Sequence, residues 1–249
     1  MKSVAVYSLK GGVGKTSLAV NLAWASAVLS SRRTLLWDLD GQAAATFLLA
    51  DPGGGGETGG SAEAQALFAR DVAPSRLIRP TATAKLDLLP ADRSLRRLDR
   101  FFFTLGKKKR LEKLLESIGK GYDRILLDCP PGLAETGEQV LRAADLIVVP
   151  VIPSPLSQRA LAEVIDYLDR HSIRRGAVLP VYNMVDRRRT MHLDALAENP
   201  AWPVVPMASA VEAMSGRREP LGSFAPRSPA AAALAALWTG IERRLARSG

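Results

Sequence analysis

The sequence predicts an α/β fold: a doubly wound, mostly parallel sheet with helices on both faces. Three observations predict it. Short runs of continuously apolar residues recur along the chain, as strands covered on both faces require. Stretches with apolar residues at helical spacing follow most of them. The first such run passes into the first helical stretch through a glycine-rich turn, Gly11-Gly12-Val13-Gly14.

Val4–Tyr7 reads as the first strand, and a helix opens after the turn with Ser17-Leu18-Ala19-Val20. Thr34–Trp37 is the second strand and ends on two carboxylates, Asp38 and Asp40. The segment 51–60 is glycine-rich and reads as a loop, followed by a short helix over Ala62–Arg70. Leu86–Leu89, Ile125–Leu127, Leu146–Val151, Ala177–Tyr182 and Val204–Val205 complete the strands. The helix after Leu146–Val151 covers Leu156–Arg170, and the last helix lies within Ser228–Arg247. No internal repeat is evident, and residues 1–249 read as one domain.

The composition excludes several classes. A lone cysteine, Cys129, rules out a disulfide framework or a cysteine metal cluster and suits a reducing cytoplasm. No apolar run approaches the length of a membrane span, and the N-terminus enters a strand with no signal-like stretch. His171 and His192 have no partners at metal-ligand spacing and read as surface or helix-end residues. The net charge of +9 and pI near 10 point to a polyanionic partner, either nucleic acid or an anionic membrane surface.

Strand, glycine turn and helix are the setting of a phosphate-binding loop. Glycines bring backbone N–H groups onto phosphate oxygens, and the helix N-terminus adds partial positive charge there. In Lys10-Gly11-Gly12-Val13-Gly14-Lys15-Thr16-Ser17, Lys15 is placed for the β/γ-phosphates of ATP and the Thr16 hydroxyl for Mg2+. Asp38 and Asp40 stand at the C-terminal end of a strand, where open α/β sheets bind ligands. Arg124-Ile125-Leu126-Leu127-Asp128 is an apolar strand ending in an acid, the arrangement that holds Mg2+ through water.

With Lys10 added to Lys15, the chain resembles the deviant Walker A family of ParA/MinD-type ATPases. The resemblance runs from Lys2 to the last helix and implies a P-loop ATPase that binds ATP or ADP with Mg2+. It implies that Lys10 is the signature lysine, reaching the partner's phosphates in an ATP-bound homodimer, and that Asp40 organises the attacking water. Asp38 would support Mg2+ or its water shell, beside Thr16 and Asp128. This chain has Gly41 where the family has a proline. Pro130-Pro131-Gly132 resembles the family's γ-phosphate-sensing loop, and Leu156–Arg170 its dimer-facing helix. Asn183 corresponds to a residue that reads adenine, with Pro206 and Met207 packing on the ring.

The ParA branch binds DNA without sequence preference. On that resemblance Arg188, Arg189, Arg217, Arg218 and Arg227 are the candidate DNA contacts; a further basic cluster spans 93–110. The expected function is an ATP-dependent switch, cytoplasmic and nucleoid-associated, that positions or segregates a cargo. A ParB-like or cargo adaptor would stimulate its slow hydrolysis. The absence of a segment before the first strand argues against autoregulation at an operator. In the final helix Leu234, Leu237, Trp238, Ile241 and Leu245 share one face. That face either packs on the sheet or lies on a membrane, as in the MinD branch. A metallocluster carrier would need a cysteine pair, and a protein of amidation-type biosynthesis a further domain, for which 249 residues leave little room.

Overall fold

The computed structural model describes residues 1–51, 63–69, 72–92, 94–95, 110–132, 134–173 and 178–247. The glycine-rich segment, apart from Asp51, and the basic cluster, apart from Ser94, Leu95 and Arg110, lie outside the described residues. In order the elements are β1 (Lys2–Val6), α1 (Lys15–Val28), β2 (Thr34–Asp38), α2 (Ala44–Leu49), α3 (Glu63–Ala69), α4 (Pro74–Leu77), β3 (Arg79–Pro80) and β4 (Leu86–Leu89). There follow α5 (Arg110–Gly119), β5 (Arg124–Asp128), α6 (Glu135–Ala143), β6 (Leu146–Val151), α7 (Pro155–Arg170) and β7 (Val178–Val185). The chain closes with α8 (Thr190–Glu198), β8 (Val204–Pro206), α9 (Ser209–Arg217), α10 (Leu221–Phe224) and α11 (Pro229–Arg247).

Among the described residues the strands form one sheet in the order β3-β4-β2-β5-β1-β6-β7-β8. All pairings are parallel except β3 with β4. The two-residue β3, absent from the expected strands, has no apolar run to announce it. From β1 the chain goes first to β2, β3 and β4 on one side, returns to β5 beside β1, and then crosses to β6, β7 and β8 on the other side. That reversal beside β1 is where doubly wound sheets bind ligands. The register aligns Val6 with Asp128 and Asp38 with Asp128, so the exits of β1, β2 and β5 form one edge.

Alternate strand residues build two cores. Ala5, Tyr7, Leu35, Trp37, Ile125 and Leu127 face α3, α5, α6 and α7, where Trp37 stacks on Phe68 at 5.6 Å. Val4, Val6, Leu36, Leu126 and Val148 face α1, α2 and α11. Burial of side chains this size contributes about 1.5–3 kcal/mol each, which is why continuous apolar runs become central strands. The five apolar residues expected on one face of α11 are all buried, and Trp238 Nε1 donates to Ser30 Oγ at 2.8 Å. The core therefore occupies the face that also suited a membrane surface. No helix among the described residues is long and apolar enough to cross a membrane.

Candidate functional site

Helix α1 opens from Gly14, whose backbone is left-handed (φ 83°). A Cβ there would also lie 2.5 Å from the Asn183 Nδ2, so glycine is needed twice over. The backbone ladder of α1 starts with Leu18 N–H to the Gly14 carbonyl at 3.0 Å. The amides of Lys15, Thr16 and Ser17 thus precede it without an intrahelical acceptor, as a helix N-terminus must, and form an anion cradle.

Two lysines bracket this loop and differ in placement. Lys15 is buried, and its Nζ donates to the Lys10 carbonyl at 3.1 Å, closing the loop. Burial lowers its pKa, while the charges of Asp128 and Asp40 oppose that change. Lys10 is half-buried. Its Nζ donates to Ser157 Oγ at 3.3 Å, in the first turn of α7, where Ser154 also donates to that hydroxyl.

The carboxylates divide by role. Asp38 is fully buried and accepts from the Thr46 amide and hydroxyl, each at 2.8 Å, and from the Asp40 amide at 3.1 Å. Burial raises its pKa to about 6 against these hydrogen bonds. Both oxygens fasten the start of α2 and the Asp40 turn, so any support it gives runs through the metal's water shell, one of the two roles expected of it. Thr46, which also receives the Ala91 amide at 2.8 Å, is the residue that the sequence did not single out. Asp40 is half-buried, its Oδ1 accepting from the Gln42 amide at 2.9 Å.

Asp128 is the opposite case. It is fully buried, and among the described residues the Thr16 hydroxyl alone stands as a weak donor to its carboxylate. Burial first, then the negative charge of Asp38, pushes its pKa well above the ordinary carboxylate range; the Thr16 hydroxyl and Lys15 pull the other way. A buried carboxylate so weakly partnered calls for a cation. The Thr16 hydroxyl and Asp128 fit Mg2+, which keeps several waters and takes few protein ligands. The described residues accordingly hold no cluster of three or more metal-ligating side chains.

Beside the loop lies a cleft of about 80 Å³ lined in part by Ser17, Asn183, Pro206 and Met207. It brings together the residues expected around adenine. Asn183 sits where the β7–β8 register shifts, next to Met184 with φ 57°. Its Nδ2 donates one hydrogen to the Val13 carbonyl at 2.8 Å, which leaves Oδ1 and the second Nδ2 hydrogen for a base.

The five candidate DNA contacts do not behave alike. Arg188 forms a two-point pair with Asp186 at 2.8 and 3.0 Å, and Arg189 Nε lies 3.7 Å from the same carboxylate. The Arg188 hydrogen bonds pull Asp186 down to about 2. Arg217 is exposed, its guanidinium 4.9 Å from the Phe224 ring centre, and Arg227 is exposed on the turn after α10. Arg218 differs from the expected surface cation. It donates to the carbonyls of Phe47 and Ala50, both at 2.8 Å, and stacks on Phe47 at 4.8 Å. Its positive charge thus caps the C-terminus of α2. Of the two places expected for His192, surface or helix end, it takes the second: it lies buried in the first turn of α8, and its Nδ1 accepts from the Asp186 amide at 3.0 Å.

A family model described as an AAA domain matches residues 1–175. A ParA family protein of Chlamydia pneumoniae is 32% identical over 74% of this chain and 73% of its own length. The apo structure of McdA from Cyanothece has a TM-score of 0.80 at 21% identity, covering 98% of this chain and 99% of that one; at this identity the likeness is one of fold. Cobyrinic acid a,c-diamide synthase from Mycobacterium smegmatis, with a bound ATP analogue and magnesium, has a TM-score of 0.78 at 26% identity. That match covers 98% of this chain and 95% of that one. Chain length therefore does not set amidation-type proteins apart, contrary to the expectation from size.

Proposed function

The chain belongs to the ParA family of P-loop ATPases, and on that premise we propose that it is a dimerising, ATP-dependent switch that binds DNA without sequence preference and positions or segregates a cargo. The observation that carries this reading is the placement of Lys10. One lysine, Lys15, closes the phosphate loop from inside. The second is free of the loop's own carbonyls and is held by a 3.3 Å contact to the Ser157 hydroxyl on α7, an interaction weak enough to be exchanged for a phosphate. A lysine so held is available to the phosphates of a second copy of the site.

The chemistry divides among the chain's own groups. The loop amides and Lys15 neutralise charge on the β/γ-phosphates. Bound through Thr16 and Asp128, Mg2+ would supply further neutralisation of phosphate charge. Asp40 orients water, and the cleft with Asn183, Pro206 and Met207 receives adenine. Hydrolysis is slow alone and is stimulated by an adaptor protein, so that ATP builds the dimer and hydrolysis resets it. Arg188, Arg189, Arg217 and Arg227 contribute contacts to phosphates of DNA.

The test is binding to random-sequence duplex DNA with ATP, with ADP and without nucleotide, at two salt concentrations, alongside Lys10→Ala. ATP-dependent, salt-sensitive binding that the variant loses is expected. Absence of DNA binding in every state would overturn the DNA reading, and the same series on anionic vesicles would then examine a membrane surface.

A further inference from the structure

Tyr7 lies between β1 and the phosphate loop and is fully buried. Its amide still pairs with the Val148 carbonyl at 3.0 Å, so the residue extends the strand. Its side chain passes under the neighbouring strand's exit, where the hydroxyl donates to the Gly132 carbonyl at 2.8 Å. Gly132 closes the Cys129-Pro130-Pro131-Gly132 segment that follows Asp128, and its φ of 94° is open to glycine and little else. On the far side, a Cβ at Gly137 of α6 would come within 3.0 Å of the Tyr7 hydroxyl and 3.1 Å of the Gly132 carbonyl. The phenol is therefore wedged between that segment and the first turn of α6. Burial, with the Cys129 thiol beside it, raises the phenol's pKa, so it remains a protonated donor.

We propose that Tyr7 is a positioning residue for ATP hydrolysis: its hydroxyl ties the strand that carries the phosphate loop to the segment leaving Asp128. The inference rests on the ATPase reading above. Tyr7 touches no nucleotide. It fixes where the Gly132 backbone stands relative to the loop of Lys10 to Thr16. That distance matters when the segment closes on a γ-phosphate, and not when the loop merely binds one. Small displacements of positioning groups act on the transition state more than on ground-state binding.

The experiment compares the full chain with Tyr7→Phe, which removes one oxygen and leaves the ring. It reads kcat and KM for Mg2+-ATP hydrolysis, ADP affinity and the melting temperature. Loss of one such hydrogen bond in the transition state predicts a kcat about 5- to 10-fold lower, with KM and ADP affinity unchanged. Tyr122→Phe is the control: it removes the 2.7 Å bond from Tyr122 to Asp87, away from the site, and retains kcat. An unchanged kcat in Tyr7→Phe, a raised KM, or an equal loss in Tyr122→Phe would each overturn the assignment. Should Tyr7→Phe fail to fold, Gly132→Ala disturbs the same joint from its other side and must show the same split. A wild-type rate at the blank level would instead remove the ATPase reading, and this inference with it.

Discussion

Asn183 donates its side-chain amide to the Val13 carbonyl at 2.8 Å, across 170 residues of sequence. A strand on the far half of the sheet thereby becomes part of the phosphate loop. Asn183→Ala leaves the Val13 carbonyl without its donor, a loss of about 1–3 kcal/mol. A melting temperature lower by about 2–4 °C per kcal/mol is expected. Asn183→Asp is worse, because it sets a carboxylate against a carbonyl. Both variants weaken ATP binding, measured by titration with a fluorescent nucleotide; wild-type affinity in Asn183→Asp would contradict this role.

The same contact makes Gly14 sensitive in two ways. Alanine there meets a φ of 83°, costing about 1–2 kcal/mol, and a Cβ only 2.5 Å from Asn183 Nδ2. Gly14→Ala should abolish nucleotide binding. In the double variant with Asn183→Ala the steric part disappears and the backbone part stays. The two single-variant destabilisations should therefore sum to more than that measured in the double variant. Simple additivity would show that the close approach is relieved without cost.

Asp128 carries a stability penalty in the nucleotide-free protein. Its pKa lies above the unfolded carboxylate value, so the fold prefers the protonated form. Stability therefore falls as pH rises from the unfolded value towards the folded one, and levels off above it. Asp38 acts with the same sign between 3.8 and about 6. Asp128→Asn removes one charge from this pair. It should melt higher than wild type at pH 7, by an amount corresponding to about 1–3 kcal/mol, and the gain should shrink as pH is lowered. Mg2+-dependent nucleotide binding should be lost in the same variant. A melting difference that grows on acidification would refute the assignment.

What the sequence made legible follows from how local each signal is. The loop of Lys10 to Thr16 and the acid-ended strands at Asp38 and Asp128 are contiguous in sequence, and their chemistry follows from residue type and spacing. The succession of strands and helices along the chain needs no more than the alternation of apolar runs and helical stretches; their order within the sheet, with β5 between β1 and β2, does not follow from it. The rest depends on contacts between distant segments. Nothing around Thr46 announces that it fastens Asp38, or around Tyr7 that it reaches Gly132. His192 is polar and close to a helix start, yet the Asp186 amide gives it a buried partner. Asp38 and Asp128 read alike as strand-end acids; only the fold separates the one with three hydrogen bonds from the one with a single weak donor.

The adjacent arginines 217 and 218 provide the sharpest separation of surface chemistry from structural chemistry. Arg218→Ala removes two 2.8 Å bonds to the last carbonyls of α2 and the stacking on Phe47. These groups are partly solvated, so the loss is about 1–2 kcal/mol, read as a lower melting temperature. Arg227→Ala removes an exposed cation and should change stability by less than about 0.5 kcal/mol. Arg217→Ala also loses the contact over Phe224, about 0.5–1 kcal/mol. Removing one cation from a DNA phosphate reduces the slope of log K against log salt by about 0.9, and a homodimer is affected twice. Each variant should therefore flatten the salt dependence of ATP-dependent DNA binding by about 1.8, with melting unaltered in Arg227→Ala and lowered less in Arg217→Ala than in Arg218→Ala. If the slope stays at the wild-type value in both, the corner formed by α9, α10 and the start of α11 is not the DNA surface, and Arg188 and Arg189 remain of the candidate arginines.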